Sequence, residues 1–448
     1  MLIGHLRDFR RDPLGFLSDT ARRYGPFAKI RFGRTTAYLL NDPELLQEVL
    51  VTRRRSFIKA RVLRAQSRLL GNGLLLNEGE SWLAQRRLAQ PAFHRERIAA
   101  YAETIGAETE RALSGWESGS DLDIHSHLRR MMIAIVAKAL FGADVGSRAE
   151  EIGEAIDAAM SRYVNRRGMA RILPVWIPEG AGLRYVQGVS RIDRFVFELV
   201  RQRRQAIGST THDADAPLDL LSMLMEARDE SGNGMGDRQL RDEAVTLFIG
   251  GFDTPSLGLA WAWYLLATHP PAAAAAAEEA DRVLGDGRPA ANDLRRLRYL
   301  DAVVKETLRL YPPAWILSRE AVEDVDIGGH CVNAGSLVLM SQWVTHRDVC
   351  FFADPERFVP ERWLDGSLER ELPRFSYFPF GGGPRVCIGA FFGMMELVLA
   401  LAMIARRYRF VLPAGTSVAP WPTMTLRPRG LRVTLAPRGR EAARRASS

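Results

Sequence analysis

Cysteine is scarce: the 448 residues hold only Cys331, Cys350 and Cys387. So low and odd a count excludes a disulfide-stapled scaffold and fits a reducing compartment. Long apolar runs are missing too. Met1 to Arg11 mixes Leu and Ile with Arg and Asp, which rules out a signal peptide or membrane span at this end. No Pro/Gly/Ser tract divides the chain and no repeat period runs through it, so separate modules and solenoids are excluded. Acid does not match base: 61 Lys and Arg face 53 Asp and Glu, a net charge of +8. The excess is mostly arginine, scattered without an aromatic-studded stripe, so nucleic acid is not an expected partner. These absences predict a cytoplasmic protein with no membrane span, working as a monomer. One domain spans 1–448, with a disordered basic tail over 437–448 that holds Arg438, Arg440, Arg444 and Arg445.

What is present is a globular composition, 47% hydrophobic. The predicted class is mainly α with a smaller β part. Alternation predicts strands at Phe27 to Phe32 and Ala37 to Leu40, and Pro43 opens a helix over Glu44 to Leu50. Residues 79–310 read as mostly helical, with breaks at Leu173 to Gly188 and at 208–217. The longest helix should run from Arg238 to Thr268, capped by Asp237 and stopped by His269-Pro270-Pro271. Its centre holds Gly250, Gly251 and Pro255, poor helix formers that mark a functional middle and predict a kink. Helices are further expected from Pro271, over Leu300 to Leu310 and over Ala390 to Ala405. Strands are expected at Val325 to Ile327, Ser336 to Met340, Arg409 to Leu412 and Leu431 to Leu435. The β part thus draws on 25–42, 315–345 and 409–436.

The sharpest motif is Phe380-Gly-Gly-Gly-Pro-Arg385-Val-Cys387-Ile-Gly389. Glycines let a backbone turn tightly against a ligand. A thiol at a helix start feels the positive end of the macrodipole, which favours the iron-binding thiolate. A lone Cys beside a Gly turn could equally be core packing. In Glu306-Thr-Leu-Arg309 the charges sit at i and i+3 and share a helix face. In Gly250-Gly251-Phe-Asp253-Thr254 an acid adjoins an alcohol, a pair that can position water for proton delivery. Trp82-Leu-Ala-Gln-Arg86 sets an aromatic ring and a guanidinium at i and i+4.

Together these motifs, in this order and over nearly the whole chain, resemble the cytochrome P450 family, whose haem-binding loop looks like F-G-x-G-x-R-x-C-x-G. Phe380, Gly381, Gly383, Arg385, Cys387 and Gly389 meet every fixed position. The resemblance implies haem b (iron protoporphyrin IX) with Cys387 as the axial iron ligand, and Trp82, Arg86, Arg319 and Arg385 at the haem propionates. Phe380, Gly381 and Gly389 would shape the loop. It implies a buried cluster of Glu306, Arg309 and Arg362, the last from Phe358-Val-Pro360-Glu-Arg362-Trp363. The upstream Pro355-Glu-Arg357-Phe358 spells a decoy that lacks the leading Phe. Asp253 and Thr254 would be catalytic, delivering protons to bound O2. Pro255 departs from the Thr or Ser of many relatives and strips the Gly251 carbonyl of its helical partner.

Position relative to the motifs predicts a substrate pocket of Leu75, Ile249, Gly250, Gly251, Ala314, Trp315, Ile316 and Met424, none of them charged. The expected activity is a monooxygenase acting on a small hydrophobic substrate. A terpenoid or polycyclic skeleton comes first and a fatty acid second. No flavin, dinucleotide or iron–sulfur segment follows Cys387, so NAD(P)H-derived electrons should come through ferredoxin and ferredoxin reductase. That docking face should be basic, with Arg86, Arg87, Arg374 and Arg385. A peroxide-using or isomerising haem-thiolate enzyme and a non-catalytic haem sensor are the alternatives. Cys331 and Cys350 should pack inside, and His94 and His346 should be polar core or surface residues.

Overall fold

The computed structural model describes residues 4–93, 95–119, 121–146, 148–164, 180–207, 219–228, 232 and 234–438. The expected break at 208–217, the first part of that at 173–188, His94 and the tail beyond 438 lie outside them.

Helices dominate, and five of them build the site: α1 (Gly79–Ala89), α2 (Ile124–Phe141), α3 (Asp237–Thr268), α4 (Arg298–Leu310) and α5 (Ala390–Arg407). The 32 residues of α3 run unbroken through Pro255, a length of about 48 Å. The cap is Gly236, not Asp237. Asp237 is instead the first helical residue, where its carboxylate meets the positive helix end. The stop holds as read: Thr268 Oγ1 donates to the Tyr264 carbonyl at 3.0 Å, and Pro270 opens the next helix, Pro270–Leu284. Most of α3 is buried: Phe248, Phe252 and Trp263 belong to the largest core cluster, and Trp261 packs into a second cluster with sheet residues such as Ala37 and Leu339.

A five-stranded sheet joins the two ends of the chain. Its strands are β1 (Phe27–Phe32), β2 (Thr35–Leu40), β3 (Phe57–Lys59), β4 (Leu317–Ala321) and β5 (Leu337–Met340), in the order β1-β2-β5-β4-β3. The β2–β5 pair is parallel and the others are antiparallel. A hairpin of β6 (Ala419–Pro422) and β7 (Leu426–Arg429) lies against α3.

Four further expectations fail. The break expected at 180–188 is helical: Gly180–Ile207 is one helix. Tyr185, Val189, Ile192, Val196 and Leu199 recur at helical spacing and are buried, which outweighs the glycines. A Cβ at Gly188 would collide with the Ala155 carbonyl, so this glycine permits close packing on the helix Arg148–Val164. The late strands shrink to Tyr408–Arg409 and Val433–Thr434, and Ala436–Pro437 pairs with the former. The tail is tied further than expected, because Arg438 bridges Asp281 at 2.9 Å. Cys331 and Cys350 are exposed, not packed: the first lies in the short hairpin strand His330–Val332 and the second in a turn.

Candidate active site

One cavity of about 1220 Å³ lies between α3, the Cys387 loop, the sheet and the β6–β7 hairpin. Its wall includes Cys387, Phe380, Gly381 and Gly389 from the loop, and Trp82, Arg86, Arg319 and Arg385 around it. Asp253 and Thr254 line it from α3. All eight expected pocket residues also reach it: Leu75, Ile249, Gly250, Gly251, Ala314, Trp315, Ile316 and Met424.

The loop is shaped by its own glycines. Gly381 and Gly383 have φ of 73° and 67°, where a side chain is strained, and a Cβ on Gly383 would collide with the Leu50 carbonyl. The Cys387 N–H donates to the Phe380 carbonyl at 3.0 Å, which closes the turn ahead of α5. Cys387 lines the cavity, where its side chain is accessible; burial by the surrounding protein pushes its thiol pKa up, while the Gly389 N–H and Arg86 pull it down. A metal would reverse this, because a coordinating thiol gives up its proton. Among the described residues no three of His, Cys, Asp or Glu gather as a metal site. A single thiolate in an apolar cavity suits a metal that arrives already chelated.

Behind the loop lies an ionic cluster. The Glu306 carboxylate accepts from Arg309 Nε and Nη2 at 2.8 and 2.9 Å, from Arg362 Nε at 3.1 Å, from Trp363 Nε1 at 2.8 Å and from the Val359 N–H at 3.0 Å. Arg309 is wholly buried and also donates to the carbonyls of His346, Pro355 and Arg357. The decoy segment thus contributes two carbonyls, those of Pro355 and Arg357, while the side chain in the cluster is that of Arg362. His346 carries the link onward: its Nε2 accepts the Phe378 N–H at 2.9 Å, and the Phe378 carbonyl accepts the Gly381 N–H. Burial beside Arg309 and Arg347 holds this imidazole neutral, its pKa well below the usual value.

The remaining candidates divide. Arg385 lies over the Trp82 ring at 4.3 Å, pairs with Glu78, and leaves a buried Nη1 without a partner. Arg319 is buried, and desolvation lowers its pKa to about 10. Arg86 donates to the Val386 carbonyl at 2.6 Å. Arg86 and Arg385 thus turn inward and do not form the expected docking face; only Arg87 and Arg374 are exposed. Asp253 and Thr254 have different partners. Asp253 pairs with Arg427 at 3.0 Å and accepts from Thr425 at 3.3 Å, while Thr254 Oγ1 donates to the Gly250 carbonyl at 3.0 Å.

Sequence reasoning missed Lys59, Glu78, Glu396 and Arg427. Glu396 of α5 lines the cavity fully buried, with neither oxygen bonded, and desolvation pushes its carboxyl well up. An acid within the otherwise apolar run of α5, nine residues after Cys387, was the available signal.

A thiol-bearing Gly turn at the head of a helix, a long helix across the cavity and an ion cluster bracing the turn define a haem-thiolate fold. The family model for cytochrome P450 matches residues 1–435, and the chain belongs to that family. It is a cytochrome P450 monooxygenase, a haem-iron oxidoreductase. It is 36% identical to cyclooctatin synthase of Streptomyces melanosporofaciens over 98% of this chain and 94% of that protein. Cyclooctat-9-en-7-ol 5-monooxygenase of the same organism is 35% identical over 93% of this chain and 89% of its own. Pentalenene oxygenase of Streptomyces avermitilis is 33% identical over 98% and 96%. Among the described residues no helix is long and apolar enough to cross a membrane.

Proposed function

We infer that this monooxygenase places one oxygen atom from O2 on a compact carbocyclic hydrocarbon, with a terpenoid skeleton first. Its electrons come from a ferredoxin and its NAD(P)H-dependent reductase, and it works in the cytoplasm as a monomer. The observation that carries the substrate class is Gly250. A Cβ built there would meet no atom within 4 Å, so α3 leaves free width at the lumen. Ile249, Ala314, Ile316 and Leu75 add apolar wall without a fixed charge. The names of the relatives point the same way, to pentalenene and to cyclooctat-9-en-7-ol.

The residues present fit haem. Cys387 would supply the thiolate, and Arg319, Arg385 and Trp82, which line the same cavity, would hold the propionates. When bound, haem supplies the activation of O2 and the oxygen transfer. The chain does the rest. The apolar wall orients the hydrocarbon and excludes water. Thr254 holds a hydroxyl at the lumen, one residue from the Asp253 carboxylate. Asp253 accepts one bond at each carboxylate oxygen, from Thr425 and from Arg427, and each oxygen keeps a lone pair with which it could hold a water for proton delivery.

A spectral binding screen tests the reading. Sesquiterpenes or steroids should displace the iron-bound water and shift the spin state at lower concentration than laurate or palmitate. Strong fatty-acid binding with none for cyclic hydrocarbons would overturn the substrate class. A fatty acid is the second reading, favoured by Arg68 and Arg429, which line the same cavity without a carboxylate partner among the described residues. Cys387→Ser should abolish the red-shifted Soret band of the reduced carbonyl complex, whereas replacing Cys331 or Cys350 should not.

A further inference from the structure

Two adjacent acids near the start of α3 hold a loop of the cavity wall by its backbone. The helix Ser67–Leu70 ends at Gly71, and the chain then runs to Asn77 without a charged side chain. The Asn72 N–H donates to the Asp242 carboxylate at 2.8 Å, and the Leu74 N–H donates to the Glu243 carboxylate at 3.0 Å. Thr246, one turn further along α3, donates to the Leu70 carbonyl at 3.4 Å. Glycine permits so close an approach: a Cβ on Gly71 would collide with the Asp242 carboxyl, and one on Gly73 with Thr246 Oγ1. The loop carries Leu74 and Leu75, which line the cavity together with Thr246 and Leu247.

The two acids are not equivalent. Asp242 is balanced: its other oxygen accepts from Arg241 Nη1 at 2.9 Å, and Arg241 Nε reaches Asp193 of the helix Gly180–Ile207 at 2.7 Å. Glu243 has no exposure, and its second oxygen has no partner among the described residues. Asp242 is the charge that acts on it. Arg241 is taken up by Asp242 and Asp193, the loop is uncharged, and α1 presents Gln85, which bonds the Asn72 carbonyl and the Asn77 amide. A buried carboxyl without a cation is held more easily as the neutral acid, whose carbonyl still accepts a backbone N–H. Burial raises the Glu243 pKa to about 7, with Asp242 adding to the rise and the Leu74 N–H opposing it.

We propose that Glu243 is a positioning residue for the substrate: by catching the Leu74 N–H it sets where Leu74 and Leu75 stand in the cavity, and its release lets wide ligands in and out. This rests on the reading that the Cys387 cavity is the substrate site, and on no particular substrate class. The balanced Asp242 bond is the fixed anchor of the loop, and the Glu243 bond is the one that yields. Once the loop lifts, Glu243 meets water and returns to the ordinary carboxylate range near 4. Between that value and about 7 the open state is ionised and the closed state is not, so rising pH favours opening. Above about 7 both states are ionised and the trend stops. The loop is therefore shut most firmly in acid.

Hydrogen exchange of the holoprotein is the test. Protection of the Asn72 and Leu74 amides, corrected for the intrinsic exchange rate, should fall roughly tenfold or more between pH 5 and 7 and level off above. Glu243→Gln keeps an acceptor and cannot ionise, so its protection should be flat and close to the wild-type value at pH 5. At pH 7.5 the bulky pyridine metyrapone should bind to this variant roughly tenfold more slowly than to wild type, by the same linkage. Carbon monoxide, which needs no opening, should rebind to both reduced proteins at one rate. A flat wild-type profile would overturn the proposal, and so would a pH step that survives in Glu243→Gln or an equal slowing of both ligands. If Glu243→Gln does not fold, the wild-type profile decides alone. Failure of the cavity reading is separate: metyrapone would then give no Soret shift with the wild type at any pH.

Discussion

Glu306 and Arg309 together concentrate the polar bonding behind the Cys387 loop, and Glu306 is its acceptor. It has no exposure and receives five donors from four residues. Replacing it by Gln keeps the shape and removes the charge that balances Arg309. A buried cation stripped of its partner costs about 3–5 kcal/mol, so Glu306→Gln should lower the denaturant midpoint steeply, with little change in slope. A midpoint within error of wild type would mean that the carbonyls around Arg309 suffice. Thr254 is the opposite case, a residue whose loss should spare the fold. Thr254→Ala gives up one bond to the Gly250 carbonyl and should leave NADPH consumption in place while peroxide replaces product. The ratio of product to NADPH checks it, and unchanged coupling would leave Thr254 a helix-bonding residue only. At this scale the sequence was informative wherever chemistry is local. Cys387 with its glycines, and Glu306 with Arg309, are fixed by spacings of a few residues. Lys59 and Arg427 were invisible because their meaning comes from a strand register and a hairpin contact, with partners more than a hundred residues away.

Helix α3 presents two adjacent glycines to two different neighbours. Gly250 opens on the lumen, while a Cβ on Gly251 would sit 3.0 Å from Val136 of α2. The same substitution should therefore have different effects one residue apart. Gly250→Val should leave stability within about 1 kcal/mol, because the lumen has room, and should weaken spin-shift binding of wide cyclic ligands. Gly251→Val should overpack the α2 contact, cost about 1–3 kcal/mol and lower the melting temperature. Equal losses of stability would show that both glycines serve packing. The existence and ends of α3 were readable from Pro and Gly punctuation and apolar content. The facing of its middle was not, since i and i+1 point apart and only the position of α2 says which glycine meets protein. The helix Gly180–Ile207 was misread for a related reason: its glycines looked like breaks until the neighbouring helix supplied a use for Gly188.

At the scale of the molecule, the net charge of +8 and the inward turn of Arg86 and Arg385 change the docking expectation. Steering of an acidic ferredoxin would fall to Arg87, Arg374 and the general positive field, not to a tight arginine cluster. Turnover at limiting ferredoxin should decline smoothly as salt rises, since each contribution is screened over a Debye length of about 8–10 Å. Arg374→Glu should reduce the rate at low salt and make it less salt-sensitive. A rate indifferent to ionic strength would argue against electrostatic docking.

The cavity is also a statement about time. Its walls are stitched across the length of the chain: Arg385 donates to the Asn77 carbonyl over 308 residues, and Arg86 to Val386 over 300. Closing loops of that size is slow, and no early segment can complete the pocket alone. During synthesis the first strands and α1 must wait, with Lys59 and Trp82 unpartnered, until the Cys387 turn has left the ribosome. Completion of the cavity is then among the last events of folding, and a nascent chain cut before residue 380 lacks the Cys387 turn that closes it.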